Sequence, residues 1–115
     1  YGQVFGSAIR FTVAGSPEIT LIGPSVQADT WHHYALVRSG QTFTLYLDGV
    51  EVDSVMDPTS LQTTDGILYI VTDENGPIVG GASGTQGFID DFRITKGEAL
   101  WTSNFSLPAA PVDCQ

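Results

Sequence analysis

Residues 42–55 read Thr42-Phe43-Thr44-Leu45-Tyr46-Leu47-Asp48-Gly49-Val50-Glu51-Val52-Asp53-Ser54-Val55, and this stretch decides the fold class. Two runs with a period of two flank Asp48-Gly49, a dipeptide suited to a two-residue type I′ turn. Such a turn predicts a β-hairpin in which Leu47 opposes Val50, Leu45 opposes Val52 and Phe43 opposes Ser54. One face is then largely apolar. The other carries Thr44, Tyr46, Glu51 and Asp53 toward solvent or a groove.

The same period recurs on either side of the hairpin. Residues 8–13 alternate Ile9, Phe11 and Val13 against Ala8, Arg10 and Thr12. Gly15-Ser16-Pro17 interrupts them, residues 18–22 resume, and Gly23-Pro24-Ser25 breaks the run again. Residues 31–38 are apolar on both faces, as in a strand covered on both sides, with Trp31 expected inside. Beyond the hairpin, Asp57-Pro58 opens a loop to Asp65-Gly66, and residues 67–72 form a further predicted strand. Asp73-Glu74-Asn75-Gly76-Pro77 reads as a turn, residues 88–95 as the last strong strand, and residues 97–104 have room for a helical turn. At least seven short strands with glycine-rich turns predict an all-β, antiparallel β-sandwich. No strand is followed by an amphipathic helix long enough for a parallel crossover.

Composition narrows the function. The chain has 115 residues, the size of one domain. Only 15% of residues are charged and 42% are apolar, so a packed globule is expected and not a disordered acidic tail. Thirteen acidic side chains against four basic ones give a net charge of -9. That balance excludes a phosphate-tracking nucleic-acid surface and disfavours an anionic membrane. No apolar run approaches the roughly 20 residues of a membrane-inserted span, and no leader pattern is visible. Cys114 is alone, so no internal disulfide or thiolate metal cluster can form. The chain starts at Tyr1 without a methionine, as a processed product or a fragment would.

Three segments in order resemble the laminin-G-like branch of the concanavalin A-like jelly-roll superfamily. They are Asp29-Thr30-Trp31-His32-His33-Tyr34-Ala35-Leu36-Val37-Arg38-Ser39-Gly40, then Thr42-Phe43-Thr44-Leu45-Tyr46-Leu47-Asp48-Gly49-Val50, then Gly87-Phe88-Ile89-Asp90-Asp91-Phe92-Arg93-Ile94-Thr95-Lys96-Gly97. The ending Leu100-Trp101-Thr102-Ser103-Asn104-Phe105-Ser106-Leu107-Pro108 resembles a form common in bacteriophage tail and virion-decoration proteins. The resemblance covers most of residues 3–108 and implies a jelly-roll domain over 1–108 with a tail at 109–115. Members of the superfamily are usually longer at the N-terminus. The resemblance therefore implies that N-terminal strands are lacking here, either as the C-terminal part of a larger domain or with an edge supplied by a partner. It also implies carbohydrate or protein binding more than catalysis.

The candidate sites follow. Glycoside hydrolysis needs two carboxylates around the scissile bond, and Glu51-Val52-Asp53 is the one suggestive pair. The superfamily's glycosidases carry a further glutamate where this chain has Val55 and Met56, so no catalytic residue is assigned. His32 and His33 would point to opposite faces of a regular strand and cannot share an ion, so a ring hydrogen-bonded within the sandwich is expected. Asp90 and Asp91 lie in an apolar run, where alternation turns one of them inward. The resemblance implies structural calcium at Asp90, with backbone carbonyls as co-ligands. The residues alone leave open a partner in Arg93, Arg38 or nearby amides, with Asp91 facing solvent. Asp73, with Glu74 and Asn75, is a weaker calcium candidate that also reads as a plain acidic turn. Tyr46, Tyr69 and Trp101 are aromatic platforms for a saccharide, with Tyr34 also available and Asn75 offering an amide. Aromatics at alternate strand positions equally suit a core. Asn104-Phe105-Ser106 matches the N-glycosylation sequon.

These readings predict a non-enzymatic recognition or adhesion module on a virion or an extracellular or cell surface, binding glycan or protein. Rim loops 57–66 and 73–86 would present the ligand site, and multivalent display in a homo-oligomer or larger assembly would raise affinity. A purely structural module that oligomerises through sheet edges is the alternative, and a glycoside hydrolase the third reading.

Overall fold

The computed structural model describes residues 2–5, 8–13, 18–27, 29–58 and 88–109. Six strands lie among them: β1 (Gly2–Phe5), β2 (Ala8–Val13), β3 (Ile19–Ser25), β4 (Tyr34–Ser39), β5 (Thr42–Leu47) and β6 (Val50–Met56). They form two antiparallel sheets of consecutive strands, β1-β2-β3 and β4-β5-β6. The predicted all-β antiparallel sandwich is the observed one, and no helix occurs among the described residues.

The core is the seam between the sheets. Alternation along β3 buries Ile19, Leu21 and Gly23 and leaves Ile22 outside. Ile19 and Leu21 meet Phe43 and Leu45 of β5, with Ile9 and Phe11 of β2 and Val52 and Val55 of β6 packed around them. Leu21 and Leu45 are fully buried. Val52 and Val55 are three residues apart, which a regular strand would place on opposite faces. A bulge explains this. The hairpin pairs Leu47 with Val50 and Tyr46 with Glu51, then shifts so that Leu45 faces Asp53 and Phe43 faces Val55. The expected partners Val52 and Ser54 are thus each displaced by one residue, and Val52 is the extra residue of the β6 bulge.

A second bulge lies where Gly23-Pro24-Ser25 was expected to end a strand. The β2–β3 register shifts between Ala8 and Arg10, and β3 runs on to Ser25. Pro24 is accommodated because β3 ends the order β1-β2-β3, where a missing N–H need not break a ladder. Gly23 lies against Ile9, whose Cγ2 would be 3.2 Å from an added Cβ.

The bulge in β6 also gives Asp53 a role. Its Oδ2 accepts the Ile22 backbone N–H at 2.9 Å, tying the outer edge of β3 to β6 across the sandwich. The Asp57 N–H reaches the Gln41 carbonyl at 2.8 Å and closes the open end of the β5–β6 hairpin.

Three expectations are corrected. Trp31 does not pack inside: β4 begins only at Tyr34, so the indole lies ahead of the strand and is 69% exposed. Residues 88–95 form no strand, although their pattern alternates. Asp91 adopts a left-handed backbone (φ 53), and its N–H is taken by the Asp90 carboxylate at 2.9 Å. That turn interrupts the extended run, and both aspartates are exposed, so neither points inward. Residues 97–104 make bends and no helical turn. The strand predicted at 67–72 lies outside the described residues.

Removing the Asp53 carboxylate isolates the Ile22 N–H. Asp53→Ala should lower unfolding stability by about 1 kcal/mol, while Asp53→Asn, which keeps an acceptor, should lose less. Urea-denaturation midpoints read both, and equal midpoints for Ala and wild type would show that the tie contributes nothing.

Candidate functional site

The most highly organised polar and aromatic group among the described residues surrounds the tip of the β5–β6 hairpin. Asp48 and Gly49 both have positive φ, 52° and 82°, as the predicted type I′ turn requires. The turn docks against the residues that lead into β4. The Asp48 N–H donates to the His33 carbonyl at 2.8 Å. In return the Asp48 carboxylate accepts the His33 N–H at Oδ1, 2.9 Å, and meets the His32 ring at Oδ2, 2.8 Å from Nδ1.

The electrostatics of this carboxylate are a contest. Partial burial works to raise its pKa. The hydrogen bonds from the His32 ring and the His33 amide, with the nearby imidazoles, outweigh burial and hold it below the ordinary aspartate range. An ionised carboxylate only accepts, so His32 Nδ1 carries the proton in this pair. His32 Nε2 and His33 Nδ1 are buried without a hydrogen-bond partner among the described residues. A histidine ring hydrogen-bonded within the sandwich was expected; the His32 ring is hydrogen-bonded instead at the hairpin tip, to the exposed Asp48, ahead of β4. His33 is held instead by its backbone and by ring contacts.

The segment 101–105 closes the other side. The Phe105 N–H donates to the Gly49 carbonyl at 2.8 Å, and Asn104 Oδ1 accepts the Glu51 N–H at 2.9 Å. A Cβ on Gly49 would collide with the Phe105 carbonyl oxygen, so this approach requires glycine on both steric and φ grounds. The Phe105 ring stacks on Trp101 (centroids 4.1 Å, 9° between planes) and meets Tyr46 edge-on at 5.4 Å. His33 stands nearly perpendicular to both rings, 5.8 Å from Trp101 and 5.7 Å from Phe105.

The structure brings some predicted site residues together and separates others. Tyr46 is 1% exposed, beneath Phe105, so its ring is core and offers no face to a saccharide. Burial first, and then the charge of Glu51, raises its hydroxyl pKa against a hydrogen bond with Thr44. Trp101 is half-buried with one face committed to Phe105. Tyr34 is half-buried, its hydroxyl pKa raised by burial and then by the Asp48 charge. Tyr69, Asn75 and Asp73 lie outside the described residues, as does all of the expected rim beyond Asp57 and Pro58. Asp90 is exposed with one oxygen on the Asp91 N–H, and no group of three or more metal-ligating side chains occurs among the described residues. The Glu51-Val52-Asp53 pair is divided by the bulge: Glu51 is exposed and Asp53 is bound to Ile22.

Sequence reasoning missed Asp48, Gly49 and Phe105 as a docking point. The Asp-Gly turn was legible, but only a carboxylate in need of donors, two residues from a strand edge, hints at what it holds.

Acid should release the tip. Because the folded pKa of Asp48 is depressed, its contribution is present above the ordinary aspartate pKa of about 4 and is lost as pH falls through the lower folded value. Asp48→Asn should therefore be less stable than wild type at pH 7 and converge with it near pH 2. Chemical-denaturation curves across that range test this, and a constant difference would remove Asp48 as the cause. Gly49→Ala should displace residues 101–105, read as a shift in tryptophan emission with loss of stability; an unchanged spectrum and midpoint would contradict the close approach.

Comparison with known proteins places this geometry in a family. The family model described as the concanavalin A-like lectin/glucanases superfamily, Laminin_G_3, matches residues 3–101. The crystal structure of an S-layer domain-containing protein from Clostridium thermocellum is similar at 26% identity over 82% of this chain, with a TM-score of 0.45. The chain covers 48% of that structure, about half its length. No curated protein matches this chain. With the family model spanning most of the sequence and the sandwich formed from antiparallel sheets, the chain belongs to the laminin-G-like group of the concanavalin A-like lectin/glucanase superfamily.

Proposed function

We propose that this chain is a non-enzymatic recognition module that binds a glycan at a cell or virion surface. The observation that carries the reading is Trp31, an indole 69% exposed immediately before the braced His32. Exposing a tryptophan forgoes much of the stabilisation its burial would bring, and a flat indole over a fixed backbone suits the C–H face of a sugar ring. Asp29, exposed in the turn just before it, offers a carboxylate for hydroxyls. Membership of a lectin-containing superfamily supports the ligand class, and the net charge of -9 favours a neutral ligand over an anionic polymer. The non-catalytic reading is supported by the placement of Asp53, whose carboxylate is bound to a backbone amide of the opposite sheet.

A glycan array probed with a multivalent complex of the full chain tests this. Saccharide retained by the wild type should be lost about tenfold or more with Trp31→Ala. Retention unchanged by the substitution would discard Trp31, and silence across the array would discard the glycan. Release of reducing sugar from a polysaccharide would overturn the non-enzymatic reading.

A further inference from the structure

We infer that Asp48-Gly49 is a latent isomerisation site, held unreactive by the His32 ring and the His33 amide. The chemistry is intrinsic to the dipeptide. The Gly49 nitrogen, unhindered because its residue has no side chain, attacks the Asp48 carboxyl carbon, forming a C–N bond and expelling water. Water then opens the resulting cyclic imide at either carbonyl. One opening returns aspartate. The other leaves isoaspartate, in which the main chain runs through the former side chain. Water is lost and regained, so nothing is oxidised or reduced and no other reactant is needed.

The folded tip opposes the first step in two ways. Ring closure ejects one carboxyl oxygen, and both are engaged: Oδ1 accepts the His33 N–H at 2.9 Å, and Oδ2 lies 2.8 Å from His32 Nδ1. The oxygen must also leave protonated. Burial works to raise the carboxyl pKa, but these hydrogen bonds outweigh it and favour the ionised form. The Asp48 side chain is 40% exposed, so solvent reaches the tip and burial alone does not shield it. Protection therefore comes from the two donors. Local opening of the tip restores the reactivity, and the product cannot dock as before. An isoaspartyl linkage puts an extra main-chain atom between two anchored groups. These are the Asp48 N–H, on the His33 carbonyl at 2.8 Å, and the Gly49 carbonyl, under the Phe105 N–H at 2.8 Å. One slow covalent event thus loosens the lead into β4 and the segment 101–105 together.

The inference holds whatever the module binds. Peptide mapping of the full chain aged in neutral buffer tests it, with isoaspartate told from aspartate by electron-transfer fragmentation. Isoaspartate at position 48 should form about tenfold or more slower in the folded chain than in the chain unfolded in urea. His32→Ala should remove about tenfold of that protection, the rate equivalent of one hydrogen bond to a charged group. His32→Gln, which keeps an N–H donor, should retain most of it. Circular dichroism shows whether each variant keeps its fold. If the alanine variant unfolds, the glutamine variant and the folded-to-unfolded ratio of the wild type decide. Equal rates in folded and unfolded wild type, or a folded His32→Ala chain that ages at the wild-type rate, would overturn the proposal.

Discussion

The carboxylate of Asp48 is the point on which the rest of the described structure leans. A two-residue turn brings Asp48 and Gly49 into left-handed backbone geometry, and that geometry aims the carboxylate back along the neighbouring strand lead. There it takes the His33 amide and the His32 ring together. The partner residue of the turn, Gly49, leaves the space that Phe105 occupies. One side of the tip is thus fixed by charge-assisted hydrogen bonds and the other by the absence of a side chain. The first constraint positions the start of β4. The second brings a distant part of the chain down over Tyr46, which is why an aromatic on the nominally outer face of the hairpin is buried.

Local chemistry was legible where a short rule governs it. The Asp-Gly turn, the alternation on either side and the division into two antiparallel sheets all follow from residues close in sequence. The β6 bulge was not legible, because Val50 to Val55 alternates well enough to suit a regular strand. Only the packing of both Val52 and Val55 against Leu45 and Phe43 selects the shifted register. Tyr46 misled for a related reason. Its period assigns it to the solvent face, and its cover comes from Phe105, far away in the chain. Residues 88–95 have the composition of a strand, yet a strand needs a neighbour and an unbroken backbone, and Asp91 interrupts the second. The inward-pointing position expected for one of Asp90 and Asp91 depended on a regular strand, and the turn at Asp91 removes that regularity.

The two sheets of this chain are joined without an internal disulfide, since Cys114 is its single cysteine. Asp53 joins the sheets at their edges while the apolar seam joins them at their faces. Because two carboxylates of the hairpin, Asp48 and Asp53, each accept a backbone amide, the acidic composition is partly structural. Asp48 and Asp53 serve the fold, while Glu51, Asp90 and Asp91 are exposed.

The two sheets differ from the strap at 101–105 in one further respect, which concerns time. Within each described sheet, strands pair with their neighbours in sequence and close only short loops. The bond from Glu51 to Asn104 spans 53 residues. Loop-closure entropy makes such a contact costlier and slower to form than that of a hairpin. On contact order alone, the strap is expected to close after the hairpins it covers. The aromatic stack of Trp101 on Phe105 is then a reporter of that closure, with Tyr46 beneath it.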